Sequence, residues 1–172
     1  MLEAGNIFDD SEIKTELFTS LNKNPLDSNC LKPLFECIKN AVEKVSTRKP
    51  DGFVLFIDEI SLLVNLGASL PAISSFVQQC YTLCAKLSNI PGNLLIGSII
   101  DECDSENERL INYLTYIADI NIKLEGLKTG YSKETDGKIS IEVKNKSKCI
   151  SSHQKQLFKV TDKGTKLLPL GI

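Results

Sequence analysis

Histidine is almost missing from this chain: among 172 residues there is one, His153. The six cysteines are Cys30, Cys37, Cys80, Cys84, Cys103 and Cys149, and no two of them make the two-residue spacing of a zinc ribbon or a thioredoxin-type pair. These scarcities argue against a metal site and against a cysteine-histidine nucleophile. Cys30/Cys37 and Cys80/Cys84 fall at helical spacings in apolar patterns, where a thiol packs as a small hydrophobe, so reduced core cysteines are expected. No apolar stretch approaches the length of a membrane span, and Met1-Leu2-Glu3-Ala4-Gly5 has neither a basic region nor an apolar signal core, so the expected location is the cytosol or nucleus. Internal repeats, low-complexity tracts and a dividing linker are absent too, which predicts one domain over residues 1–172.

With 42% hydrophobic and 24% charged residues, what remains is an ordinary globular composition. Its organising stretch is Gly52-Phe53-Val54-Leu55-Phe56-Ile57-Asp58-Glu59-Ile60-Ser61, a run of large apolar residues that ends in two carboxylates. Five consecutive apolar side chains suit a central strand covered on both faces, because each is buried whichever way the pleat points it. An apolar strand closed by Asp-Glu has the form of a Walker B segment, in which carboxylates hold magnesium and position water. The plainer alternative is an acidic loop after a core strand.

Residues 1–27 carry the weakest pattern, with Ile13, Leu17 and Leu21 spaced for one short helix. Asp27, Ser28 or Asn29 is expected to cap a helix reaching about Thr47, with Leu31, Leu34, Phe35, Ile38, Val42 and Val45 along one stripe. Arg48-Lys49-Pro50-Asp51-Gly52 then turns the chain into the central strand. Beyond it, Gly67 is placed to take a left-handed conformation, Ser69 to cap a helix reaching about Leu87, and Pro71 to occupy its first turn. Ile73, Phe76, Val77, Cys80, Tyr81, Leu83, Cys84 and Leu87 are assigned to the apolar face of that helix. A second apolar strand over 93–100, again followed by acids at Asp101 and Glu102, completes a strand-helix-strand unit with parallel strands and a right-handed crossover. A helix over 106–116 leads to a strand over 118–124. The pattern then changes. Residues 138–144 alternate strictly behind the hairpin signal Asp136-Gly137, and 155–162 form a further strand, so the C-terminal third reads as an antiparallel meander.

The formal charge of -2 conceals a division: residues 1–120 hold 9 Lys+Arg against 17 Asp+Glu, net -8, and residues 121–172 hold 11 against 5, net +6. Such polarity fits a nucleic-acid-facing end or complementary faces for head-to-tail packing, and it also fits lysines simply solvated on exposed strands.

Several pieces carry a family resemblance. They are Phe53-Val54-Leu55-Phe56-Ile57-Asp58-Glu59-Ile60-Ser61-Leu62-Leu63, Leu66-Gly67, Val77-Gln78-Gln79-Cys80, Leu127-Lys128-Thr129-Gly130-Tyr131-Ser132-Lys133 with Asp136-Gly137, and Phe158-Lys159-Val160-Thr161-Asp162-Lys163. Over about residues 30–165 the chain resembles the Elongator complex protein 6 family, most specifically in the Thr-Gly-aromatic-x-Lys segment and the Gly turn after it. The resemblance implies an α/β, RecA-like fold: a mostly parallel sheet flanked by helices, with a C-terminal antiparallel extension. It also implies an accessory subunit that forms a heterohexameric ring with paralogous RecA-like subunits, binds tRNA and assists modification of wobble uridines.

Members of that family generally lack a phosphate loop, and no Gly-x-x-x-x-Gly-Lys-Ser/Thr occurs in these 172 residues. Asp58 and Glu59 therefore complete at most half of a nucleotide site, and the expectation is a noncatalytic protein without cofactor or metal. Isolated glycines such as Gly67 and Gly97 have turn or close-packing explanations. The chain begins late relative to a complete RecA-like subunit, as a fragment, a short isoform or a divergent member would, and the first strand of the sheet is expected to be absent. For tRNA contact the chosen residues are Lys133 beside its turn and Lys144, Lys146 and Lys148 in the loop 144–148, since loop lysines hold phosphates without reading bases. The competing possibilities are an ATPase fragment, with Asp58 on magnesium through water and Glu59 activating the attacking water, and a protein-only adaptor.

Overall fold

In a computed structural model the described residues are 15–16, 19–21, 23–24, 27, 29–48, 50–86, 90–100, 104–127, 130, 132–145 and 150–169. Helices α1 (Lys32–Ser46), α2 (Ser61–Asn65), α3 (Leu70–Lys86) and α4 (Ser105–Ile117) alternate at first with strands β1 (Phe53–Ile57) and β2 (Gly92–Ile96). Strands β3 (Ile120–Gly126), β4 (Gly137–Asn145), β5 (Ile150–Thr161) and β6 (Gly164–Leu168) follow. The chain divides into two compact units, Met1–Ile111 and Asn112–Ile172, with the boundary inside α4.

In the first unit β1 and β2 pair in parallel, Phe53 opposite Gly92 through Ile57 opposite Ile96, and α3 packs on β2. Helix and strand patterns fall where the sequence places them. Leu34, Ile38 and Val42 make the buried stripe of α1, and Ala72, Ile73, Phe76, Val77, Cys80, Leu83 and Cys84 that of α3. Gly67 has φ 89° at the end of α2, and Ser69 Oγ accepts from Ala72 N at 3.4 Å ahead of α3.

Other expectations shift for identifiable reasons. Helix α1 starts at Lys32 without a side-chain cap and with a proline in its first turn, because the Asp27 carboxylate is engaged in a local turn with Asn29 N at 2.9 Å. Residues 15–16, 19–21 and 23 are helical and Leu21 is buried, whereas Ile13 and Leu17 lie outside the described residues. Tyr81, assigned to the apolar face of α3, is exposed, and Leu87 lies outside the described residues. Strand β2 ends at Ile96, and Asp101 and Glu102 lie outside the described residues. The central strand differs most. Leu55 is buried, but Val54 and Phe56 are 62% and 57% exposed, so only one face of β1 is covered among the described residues. β1 has one described sheet neighbour, β2, and it is on β2 that α3 packs.

The second unit contains the antiparallel sheet β3-β4-β5-β6. The expected meander is present and is extended by β6, a strand beyond the expected ones. A tight turn at Asp162-Lys163 closes β5 onto β6, with Gly164 at φ 127° and Thr161 Oγ1 donating to its carbonyl. Asp136-Gly137 is not a two-residue hairpin turn. It closes a longer connection from Gly126, and Gly137 is paired to both Gly126 and Phe158. Glycine is needed there for closeness: a Cβ would lie 2.4 Å from Glu125 O and 2.7 Å from the Phe158 ring.

Candidate functional site

Both carboxylates stand after the carboxyl end of β1, where open α/β sheets bind ligands. They point to different fates. Asp58 is exposed and has no hydrogen bond or ion pair with another described residue. Glu59 is half-buried and turned inward: Oε2 accepts from Ile99 N at 3.0 Å, Oε1 from Ser61 N at 3.2 Å, and Ser61 Oγ also donates to it. Glu59 thus ties the segment beyond β2 to the start of α2, across 40 residues of sequence. Its oxygens are occupied by amide and hydroxyl donors, which leaves little acceptor capacity for a metal ion or a water.

The backbone around the pair is equally closed. Gly97 N donates to Ile57 O at 2.8 Å, and Ile60 N donates to Gly97 O at 3.0 Å, continuing the parallel ladder past both strands. A Cβ on Gly97 would sit 2.1 Å from Asp58 O, so glycine allows this approach. Asn107, buried in α4, donates from Nδ2 to Ile99 O at 3.1 Å, and Asp104 Oδ1 caps α4 by accepting from Glu106 N and Asn107 N. The close approach at Gly97 is the close-packing role expected of it, whereas Ile99 and Asn107 carry no signal in the sequence. The legible signal was an acid two residues before a short helix, the spacing of a side chain that accepts from a helix-start amide.

The chosen lysines separate. Lys133 is exposed on a bend between β3 and β4. Lys144 is not in a loop but on β4, where its Nζ donates to the Thr115 carbonyl and its backbone N to Asp119 O at 2.8 Å. Lys146 and Lys148 lie outside the described residues.

Elsewhere on this sheet, Glu125 bridges Lys123 at 3.0 Å and Lys138 at 3.6 Å, and the hydrogen bond from Lys123, then the other lysine contacts, hold its carboxyl below the usual range. Asp136 accepts from Lys159 Nζ and from Val160 N, both at 2.7 Å, and those bonds lower its pKa in the same way. His153 Nε2 is 3.0 Å from Ser151 Oγ and 4.0 Å from Glu142 Oε1. Serine and carboxylate meet the same ring nitrogen, which is not the relay arrangement of a hydrolase. Among the described residues no three His, Cys, Asp or Glu side chains cluster to hold a metal ion, and no helix is long and apolar enough to cross a membrane.

The sequence model of a family described as Elongation complex protein 6 matches residues 5–162. Elongator complex protein 6 of Homo sapiens is 30% identical over 151 residues, covering 83% of this chain and 55% of that protein. The Mus musculus protein of the same name is 30% identical over 125 residues, covering 69% and 46%, and that of Drosophila melanogaster 27% over 150 residues, covering 80% and 54%. The chain spans about half the length of the curated relatives it matches. Among solved structures, an uncharacterized Pyrococcus horikoshii protein in complex with an unknown peptide is similar with a TM-score of 0.54 and 11% identity, over 85% of this chain and 57% of that one. That likeness concerns the fold alone, and it agrees with the α/β, RecA-like class.

Proposed function

The chain belongs to the Elongation complex protein 6 family, and from that premise we propose that it is a noncatalytic subunit of the Elongator complex, acting in the cytosol or nucleus. Its partners are paralogous RecA-like subunits in a heterohexameric ring, and its contribution is to assembly and to tRNA binding for wobble-uridine modification. The observation that carries the reading is the family match over residues 5–162. Glu59 supports the noncatalytic part, because its carboxylate braces two backbone amides at the position where a Walker B acid would have to serve a nucleotide. Lysines on and beside the second unit, with Lys133, Lys144, Lys146 and Lys148 as first candidates, supply phosphate contacts of the point-charge kind.

Co-expression with candidate ring partners, followed by native mass measurement and a tRNA mobility shift at two salt concentrations, tests this. The expected result is a mixed oligomer whose tRNA shift weakens as salt rises. Failure to co-assemble overturns the subunit reading, and assembly without any tRNA shift leaves a protein-only adaptor. In the assembled complex, Asp58→Asn and Glu59→Gln are expected to leave ATP turnover unchanged; a loss would restore the enzyme alternative.

A further inference from the structure

The register of the four-stranded sheet sorts its side chains completely by charge. Lys123 lies opposite Ser140 and Ser140 opposite Lys155; Glu125 lies opposite Lys138; Lys144 lies opposite Ser151; Glu142 lies opposite His153; and Lys159 lies opposite Lys166. Directly paired residues share a face and successive residues alternate. Every charged residue of β3 to β6 therefore falls on one face: Lys123, Lys138, Lys144, Lys155, Lys159 and Lys166, against Glu125 and Glu142. The other face takes residues such as Ile122, Ile141, Gln154, Phe158 and Leu167 and carries no charge.

The anions on and beside the charged face are already committed. Glu125 is shared between Lys123 and Lys138, Asp136 is paired with Lys159, and Glu142 accepts from Asn121 Nδ2 beside His153. The Lys144 ammonium is held by the Thr115 carbonyl. Lys155 and Lys166 are both exposed, and neither has an ion pair with a described residue. Lys166 sits directly across from Lys159, whose charge Asp136 already balances, so the acid beside that pair is taken by the other lysine. A solvated surface disperses its signs; this one concentrates cations on a regular platform. A polyanion laid on it would supply counter-charges for Lys155 and Lys166.

We infer that the charged face of β3 to β6, centred on Lys155 and Lys166, is a phosphate-contacting surface for RNA. This rests on the tRNA-binding reading above and moves the centre of contact from the lysines near the ends of β4 to the sheet itself. The contacts are to the phosphate backbone, because lysine offers a mobile point charge and no base-reading geometry.

The test uses the full chain in its assembled complex, with tRNA affinity measured across a salt series. Lys155→Gln with Lys166→Gln is expected to weaken binding and to lower the log-log salt slope by roughly 1.5, the share of two phosphate contacts. Lys155→Arg with Lys166→Arg is expected to retain both affinity and slope, which also controls for folding. Unchanged affinity and slope in the Gln pair, while joint alanine substitution of Lys133, Lys144, Lys146 and Lys148 abolishes binding, would overturn this inference and leave the functional reading standing. Loss of a protein subunit in the Gln pair with tRNA affinity intact would also overturn it, marking an acidic protein partner. A wild-type complex that does not shift tRNA removes the tRNA reading and this inference together.

Discussion

A carboxylate that accepts from two backbone amides and a hydroxyl acts as a brace, and at Glu59 those donors belong to segments that meet only in the folded chain. Replacing it with alanine leaves the amide of buried Ser61 without its charged acceptor, a cost of about 1–3 kcal/mol, whereas water can reach the amide of exposed Ile99. Glu59→Ala is therefore expected to lower the denaturation midpoint clearly, whereas Asp58→Asn, on an exposed group, is expected to stay within about 0.5 kcal/mol of the parent. Urea titration of both variants checks this, and equal midpoints would remove the brace. From the sequence the two acids were a matched pair. Their separation depends on which one the backbone turns toward Ile99, and that segment lies 40 residues away.

At the scale of elements, Asp136 fastens the start of β4 to β5. Its side chain holds Lys159 Nζ and Val160 N, and its own N donates to Phe158 O at 2.9 Å. The hydrogen bond from Lys159, then the one from Val160, lowers its pKa, so the folded state binds fewer protons than the unfolded state in acid. The stabilising contribution is complete above about pH 3.9, the ordinary aspartate value, and disappears as pH falls through the depressed folded value. Asp136→Asn is expected to flatten that part of the acid unfolding curve and to leave its shape above pH 5 unchanged. Stability measured by denaturant at pH 5 and pH 3 reads the difference; an equal acid loss in parent and variant would show that Asp136 is not linked. Asp-Gly before an alternating segment was legible as a turn, but a glycine chosen for left-handed φ and one chosen for close approach look identical in sequence. The Phe158 ring, brought up by a strand further along the chain, decides between them.

Across the molecule, burial is concentrated in the first unit, where Leu31, Ile60, Ile73, Val77, Cys80 and Leu110 are all at most 2% exposed. Cys80 and Cys84 are free thiols inside that core, and burial, with Cys84 beside it, pushes the Cys80 thiol up to about 12. Only thiolate reacts, so alkylation of Cys80 in the native protein at pH 8 is expected to be far slower than in urea, and its onset with denaturant should track unfolding of this unit. Equal native and unfolded rates would mean that α3 does not pack as described. By itself the sequence determined most of the helices and strands though not β6, the parallel order of β1 and β2, most of the core stripes of α1 and α3, and the division of charge along the chain, because period, turn chemistry and composition are local properties. Tertiary structure decided the rest. It exposed Val54 and Phe56 on an apolar strand, since cover on a face depends on what packs there. It made Glu59 a brace, and through strand register it gathered the charges of β3 to β6 onto one face, since pairing between distant segments is not written in either segment alone.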